Sequence, residues 1–181
     1  MRKFFYIITV IIVILLAMTL CGCEETQRAP TIEDGEFPFH FIYEFNGKTF
    51  TIEDTVVCKF SGFDQSAWFT KPRTWDENLK SGTKRISIIS TENVPSVLKP
   101  ARVNNRSEVW LDYGTGDYYM GEDMSGRTRN KPRIAYLEEY RESPNVTRIE
   151  DTPLTEKQLK DYFGIKIIEF TFSKPIKNTY K

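Results

Sequence analysis

His40 is the only histidine in the chain, so Ser–His–Asp or Cys–His catalysis would need it as the base. It stands on the polar side of an alternating aromatic stretch, and no catalytic motif surrounds a serine or a cysteine. Cys58 is the single cysteine after residue 23, and one histidine with one cysteine is too few ligands for a structural zinc site. Its apolar surroundings are typical of a buried strand cysteine. We therefore expect neither nucleophilic catalysis nor a zinc centre.

Two acidic stretches could supply metal ligands or paired carboxylates. Residues 112–117 combine carboxylates with two glycines, as calcium loops do, but lack the 12-residue spacing and the terminal glutamate of an EF-hand. Glu138, Glu139 and Glu142 could form the carboxylate pair of a glycosidase, yet a chain with 25 acidic residues contains many such pairs by chance. We predict no metal, no cofactor and no enzymatic activity.

Large aromatic side chains are scattered through residues 63–83 with the spacing of neither a helix nor a strand. The sequence predicts an irregular loop here, and so long a loop in a compact domain is uncommon unless it has a function. An exposed aromatic rim suits contact with a carbohydrate or a protein. Trp68, Phe69 and Trp75 are therefore the candidate partner surface. The alternative is that these side chains fold into the core.

The first 23 residues have the order of a secretory signal peptide. Arg2 and Lys3 give a positive start, and residues 4–20 carry no charge. The stretch ends in Leu20-Cys21-Gly22-Cys23, which resembles the lipobox of bacterial lipoproteins, where a leucine stands three residues before the modified cysteine. The resemblance implies cleavage before Cys23 and a diacylglycerol on its sulfur.

This N-terminus predicts a protein anchored to the cell membrane through lipid on Cys23, with its body outside the cytoplasm. The alternative is an uncleaved transmembrane helix, because the uncharged run from Phe4 to Cys23 has 20 residues and could span a bilayer. We assign residues 1–22 to the signal peptide, 23–36 to a flexible polar tether and 37–181 to a single globular domain.

The charge balance bears on the choice of partners. The signal peptide removes Arg2 and Lys3, so 23 basic residues remain against 25 acidic ones, and the net charge of the remainder is −2. This balance argues against a nucleic-acid partner. The expected partners are the membrane, through Cys23, and a protein or a carbohydrate.

Several stretches have the two-residue period of strands. Residues 37–45 alternate aromatic with other residues, Asn46-Gly47 is typical of a tight hairpin turn, and residues 48–52 resume the alternation. The sequence also predicts a second hairpin around Gly114-Thr115-Gly116. In the last predicted strand the parity shifts between Ile167 and Ile168, which indicates a bulge or burial of both faces. The remaining predicted strands cover residues 55–60, 85–90, 108–113, 117–121, 132–140 and 165–172.

One helix is predicted over residues 156–163. Thr155 and Gln158 have the spacing of a capping box, and Gly164 stands where a left-handed residue ends a helix. We therefore expect a β-rich α+β fold, a mostly antiparallel sheet or sandwich with one short C-terminal helix. The alternative is an all-β sandwich.

The body is similar to small uncharacterised lipoproteins of Gram-positive bacteria. The similarity lies in three places: the Asn46-Gly47 hairpin followed by residues 53–55, the segment Tyr118-Tyr119-Met120-Gly121, and the junction Phe163-Gly164-Ile165-Lys166. This resemblance implies no particular activity. We expect a surface binding or interaction module; the alternatives are an accessory or structural subunit of an envelope complex and an uncharacterised enzyme.

Overall fold

A computed structural model describes residues 28–66, 72–122 and 130–180 of the chain. Its eight strands are β1 (Asp34–Phe45), β2 (Lys48–Phe63), β3 (Arg73–Leu79), β4 (Ile86–Pro95), β5 (Val103–Asp112), β6 (Arg133–Ser143), β7 (Val146–Pro153) and β8 (Lys166–Phe172). The two helices are α1 (Gly116–Tyr119) and α2 (Glu156–Phe163).

The strands form two antiparallel sheets of four strands each, in the orders β3-β2-β1-β8 and β4-β5-β6-β7. Buried residues of both sheets join one hydrophobic core cluster. Each sheet is made of strands that follow one another along the chain, except that β8 returns beside β1. The predicted β-rich fold, a mostly antiparallel sandwich with a short C-terminal helix, is confirmed.

The aromatic face of β1 supplies much of this core. Phe37, Phe39, Phe41 and Tyr43 are all buried, as the two-residue period predicts. The turn after β1 places Asn46 at φ 52° and Gly47 at φ 71°. Positive φ at both central positions matches the twist of the flanking strands, so β2 returns directly along β1 and the predicted hairpin is confirmed.

Helix α2 has the predicted bounds and the predicted caps. The Thr155 hydroxyl accepts a hydrogen bond from the Gln158 backbone N–H, and the Gln158 side chain accepts one from the Thr155 backbone N–H. Gly164 ends the helix at φ 67°, in the left-handed region. Leu159 is the residue of the helix that is buried in the core, which fixes the helix against the sandwich.

The parity shift in β8 is a bulge. Ile42 pairs with Glu169 and the next residue, Tyr43, pairs with Ile167, so Ile168 has no partner on β1. Its side chain is 51% exposed. An extra residue on one strand is the defining feature of a β-bulge, and it lets apolar residues on both sides of it reach the core.

Two predicted segments are wrong. Residues 73–79, expected to lie in an irregular loop, form strand β3, which pairs with the second half of β2. The expected hairpin around Gly114-Thr115-Gly116 is absent, because β5 pairs with β6 and residues 116–119 form helix α1. The Thr115 side chain accepts from the Tyr118 N–H and starts this helix.

The tether predicted over residues 23–36 is folded where the structure describes it. Strand β1 already begins at Asp34, and the Thr31 N–H donates to the Thr179 carbonyl at 2.8 Å. Pro30 forms a bridge with Tyr180. The segment before β1 is thus paired with the C-terminal segment, and the folded body begins by Pro30.

Candidate functional site

The structure describes one of the three residues that we expected to form a partner surface. Trp68 and Phe69 lie outside the described residues, as does Cys23. Trp75 is on β3 with only 7% of its surface exposed, and its indole N–H donates to the Glu122 carboxylate at 3.3 Å. Its ring meets Phe60 edge-on with 5.5 Å between centroids. Trp75 is therefore a core residue, and its assignment to an exposed rim is wrong.

His40 lies on the outer face of the β1–β2 hairpin. Its Nδ1 is 2.7 Å from a carboxylate oxygen of Glu53, the residue directly opposite on β2. Ser173 lines the same shallow hollow, but its hydroxyl donates to the Pro38 carbonyl at 2.9 Å. The imidazole thus takes part in a cross-strand pair of ordinary kind.

Two of the acidic residues noted in the sequence, Glu138 and Asp112, form hydrogen bonds within the fold. Glu138 is buried and binds Arg102 and the Asn104 side-chain amide, whereas Glu139 points to the opposite face of β6. Asp112 accepts from the Gly114 N–H at 3.0 Å. In the described ranges, no group of three or more His, Cys, Asp or Glu side chains is placed to hold a metal ion.

A cleft of about 510 Å³ is lined by Glu77 of β3 and by residues of β5, β6 and β7 and their neighbouring loops. We call it the Glu77 cleft. Its lining residues are Glu77, Lys84, Arg85, Trp110, Asp112, Tyr113, Gly114, Thr115, Asn130, Arg133 and Asp151. Most of them are charged or polar, and Glu77 is the one that comes from the β3-β2-β1-β8 sheet. The cleft is therefore a place where several polar groups could contact a bound molecule.

Glu77 is a half-buried carboxyl of the cleft. Burial raises its pKa above the usual glutamate range, and the nearby charges of Asp117, Asp76 and Asp112 raise it further. The Gly116 N–H donates to Oε2 at 3.1 Å, and this hydrogen bond lowers the pKa of Glu77. The Glu77 carboxyl therefore keeps its proton to a higher pH than an exposed glutamate does.

One wall of the cleft is held by a chain of ion pairs. Arg133 donates through Nε to Asp112 at 2.9 Å and through Nη2 to Asp151 at 3.0 Å. The Trp110 indole N–H donates to the other oxygen of Asp151 at 3.0 Å. Asp112 and Arg133 are directly opposite each other on β5 and β6, so the strand register itself brings them together. These groups need not reorganise when a ligand arrives.

The rim of the cleft is basic and aromatic. The Arg85 guanidinium lies 4.1 Å from the ring centroid of Trp110, which is a cation–π contact. Its Nε is buried and makes no hydrogen bond within the described chain, and a carboxylate oxygen of Glu108 lies 3.4 Å away. Lys84 is exposed beside it. The rim thus offers two cations next to an indole.

The floor is shaped by Tyr113 and Gly114. Burial, with added repulsion from Glu77 and Asp112, raises the pKa of the Tyr113 hydroxyl, so it stays protonated as a hydrogen-bond donor. Gly114 has φ 89°, and a Cβ there would stand 2.8 Å from the Asn130 carbonyl oxygen. Only glycine fits, which lets the loop after β5 close against residue 130.

Comparisons with protein family models, with curated proteins and with solved structures find no match to this chain. Among the described residues, no helix is both long and apolar enough to cross a membrane. The structure thus defines a two-sheet antiparallel sandwich with a small polar cleft lined by residues of β5, β6 and β7 and by Glu77 of β3.

Sequence reasoning missed the cleft as a unit. Trp110 and Asp112 are two residues apart on β5, a spacing that puts both on one face. That signal was available, but the contribution of Glu77 and Arg85 depends on how the two sheets pack, which no local pattern contains.

Proposed function

We propose that the protein is a lipid-anchored binding module of the cell envelope, with the Glu77 cleft as the site for a small hydroxylated ligand of carbohydrate type. The observation that carries this proposal is that charged and aromatic side chains of β5, β6, β7 and the loops, together with Glu77 of β3, line one open space of about 510 Å³. Ligand sites in proteins are typically clefts of roughly 300–1,000 Å³, so the size fits a sugar unit.

The chemistry of the lining supports a polar but weakly charged ligand. Basic side chains (Lys84, Arg85) and acidic ones (Glu77, Asp151) face the same space, so a strongly charged ligand of either sign would meet repulsion on one side. Carboxylates and guanidinium groups can hydrogen-bond neighbouring hydroxyls of a sugar, and Trp110 offers apolar surface beside them. A protein partner would use a larger and flatter surface than this cleft.

The anchor is proposed from the N-terminal sequence alone. The run from Leu20 to Cys23 supports acylation of the Cys23 sulfur, and two or more acyl chains make a stable attachment where a single chain is marginal. The body would then face outward from the cell membrane. The near balance of 25 basic and 25 acidic residues supports a role without nucleic acid.

Metabolic labelling with a fatty-acid probe tests the anchor. Cys23→Ala is expected to abolish labelling and to leave the signal peptide uncleaved, because only Cys23 has a leucine three residues before it among the N-terminal cysteines. Cys21→Ala is the matched control and should keep the label. Equal labelling of the Cys23→Ala variant and the wild type would contradict the anchor.

Titration calorimetry with chitotriose, a soluble oligosaccharide with hydroxyl and amide groups, tests the cleft. We expect Glu77→Gln to weaken binding by about tenfold, the usual consequence of losing a hydrogen bond that involves a charged or strongly polar group. His40→Gln, on the outer face of the hairpin, should bind as the wild type does. Unchanged binding by Glu77→Gln would place the ligand elsewhere.

A second candidate function, glycoside hydrolysis, is favoured by one observation. The raised pKa of Glu77 suits a general acid, and Asp112 is a second carboxylate of the same cleft. Release of nitrophenol from aryl glycosides, lost in Glu77→Gln and dependent on pH, would favour the enzyme. Saturable binding without turnover favours the binding module, whereas stoichiometric co-purification with an envelope protein would favour an accessory subunit.

A further inference from the structure

The two ends of the described chain meet at one buried arginine, Arg73, which is only 4% exposed. Its Nε and Nη2 donate to the two carboxylate oxygens of Glu122 at 2.9 and 2.7 Å. Its Nη1 donates to the Arg28 carbonyl at 2.9 Å, and its guanidinium carbon lies 3.5 Å from the ring centroid of Tyr180. We call these four residues the terminal clasp. A bidentate buried pair of this kind fixes its partners in orientation as well as position.

Further hydrogen bonds join the segment after Arg28 to the segment before Tyr180. The Thr31 N–H donates to the Thr179 carbonyl at 2.8 Å, and the Ile32 N–H donates to the Asn178 side chain at 3.0 Å. The Asn178 amide returns a bond to the Ile32 carbonyl at 2.8 Å. The chain is therefore attached to the body from Arg28 onward, well before β1 begins.

The clasp lies at one end of the β3-β2-β1-β8 sheet. Strand β2 ends there at Phe63, opposite the first residue of β3, Arg73. The Asn46-Gly47 hairpin is at the far end of β1, which has 12 residues. A strand of that length extends about 36 Å at 3.3 Å per residue.

The chain between the clasp and the lipidated cysteine is short. Four residues, 24–27, lie between Cys23 and Arg28, so five Cα–Cα steps join the two. Even fully extended they reach only about 17 Å, at 3.3–3.6 Å per residue. That is about half of the length of β1, so the body cannot turn over without lifting its anchor out of the lipid.

We infer that the terminal-clasp end of the sandwich faces the bilayer and that its partner is the headgroup surface of the membrane in which Cys23 is anchored. The inference rests on the proposed acylation of Cys23. It places the Asn46-Gly47 hairpin away from the membrane. Glu77 is four residues along β3 from Arg73, about 13 Å, so the Glu77 cleft belongs to the membrane-proximal half.

The orientation can be measured on residues 23–181, which include all eight strands and the whole core cluster. Coupling Cys23 to a maleimide lipid in phosphatidylcholine vesicles reproduces the attachment. Cys58 does not compete, because it is fully buried and burial raises the pKa of its thiol to about 12. A donor dye introduced in place of exposed Lys177 or exposed Lys48 reports the distance to acceptor dyes on the lipid headgroups.

We expect more efficient energy transfer from position 177, near the clasp, than from position 48, at the hairpin. Inserting about 30 Gly/Ser residues between Gln27 and Arg28 adds roughly 30 Å of flexible reach and should remove the difference. Equal transfer from both positions with the native linker, or stronger transfer from position 48, would overturn the orientation.

This outcome is separable from the proposed function. The lipid is attached chemically, so the measurement does not depend on whether cells acylate Cys23. Failure of fatty-acid labelling in cells would defeat the anchor on which the orientation rests, whereas equal energy transfer would defeat the orientation and leave the anchor standing.

Discussion

At the scale of single residues, the fold places its ionisable groups in two contrasting environments. Glu77 is partly desolvated among other carboxylates, which raises its pKa. Glu150 accepts hydrogen bonds from Lys99, Arg102 and Tyr140, which lower its pKa to about 2. The first arrangement is costly when the group ionises and suits a binding site; the second stabilises the charged form and the fold.

The cost of ionising Glu77 predicts a pH-dependent effect of Glu77→Gln. Because the folded protein holds this proton more tightly than the unfolded chain, Glu77 contributes stability that is full below about pH 4.5 and is lost as the pH rises through its folded pKa. The free energy of unfolding of the wild type minus that of Glu77→Gln should therefore fall as the pH rises above the ordinary glutamate pKa of 4.5. Denaturant melts measure it, with Glu92→Gln as a control for net charge. A difference that stays constant would contradict the desolvation of Glu77.

For Glu150 we expect a pH dependence of stability with the opposite sign to that of Glu77. Its folded pKa is depressed, so its contribution to stability is present above the ordinary glutamate pKa of 4.5 and is lost as the pH falls toward 2. Glu150→Gln should unfold at a lower denaturant concentration than the wild type near neutral pH, and at the same concentration near pH 2. If the variant were equally stable at neutral pH, the bonds from Lys99 and Arg102 would make no net contribution.

At the scale of secondary-structure elements, local signals were sufficient where the element is specified by its own residues. The β1–β2 hairpin and α2 were predicted because alternation, Asn46-Gly47 and the Thr155 cap act within a few residues. Strand β3 was missed because its apolar residues, Trp75 and Leu79, are four apart and its other side chains are polar. Its place depends on pairing with β2 and on Arg73 reaching Glu122, contacts between distant parts of the chain.

The cap of α2 gives a prediction for this element. Thr155→Ala removes the side-chain acceptor of the Gln158 N–H and should lower the free energy of unfolding by about 0.5–2 kcal/mol. Chemical denaturation with Thr49→Ala, an exposed strand threonine, as the control decides it. An unchanged midpoint for Thr155→Ala would mean that the capping box adds nothing to the fold.

Strand β3 gives a second prediction at this scale. Trp75→Ala leaves a cavity beside Phe60 and should cost about 3–5 kcal/mol of stability, as for other large buried residues cut to alanine. Trp110→Ala, a half-buried site on β5, is the control and should cost less. A small loss for Trp75→Ala would contradict the contribution of this buried tryptophan to the core.

At the scale of the whole molecule, the proposed anchor, the terminal clasp and the Glu77 cleft form one arrangement. The clasp joins both ends of the described chain at the end of the sheet where β1 begins, and β3 runs from the clasp to the cleft. The cleft itself could not be predicted, since Glu77 and Arg133 belong to different sheets and line one cleft only after the two sheets pack together. Two-residue alternation, turn residues and helix caps specified the class of fold, whereas the site arises from packing.

The most direct test of the binding module is an amide and indole NMR map of residues 23–181 titrated with chitotriose. The account predicts saturable shifts of the Trp110 indole and of the Gly114 and Asn130 amides, which line the cleft, with little change at His40 on the outer face. Shifts concentrated outside the cleft, or none at saturating sugar, would contradict the assignment of the Glu77 cleft as a carbohydrate site.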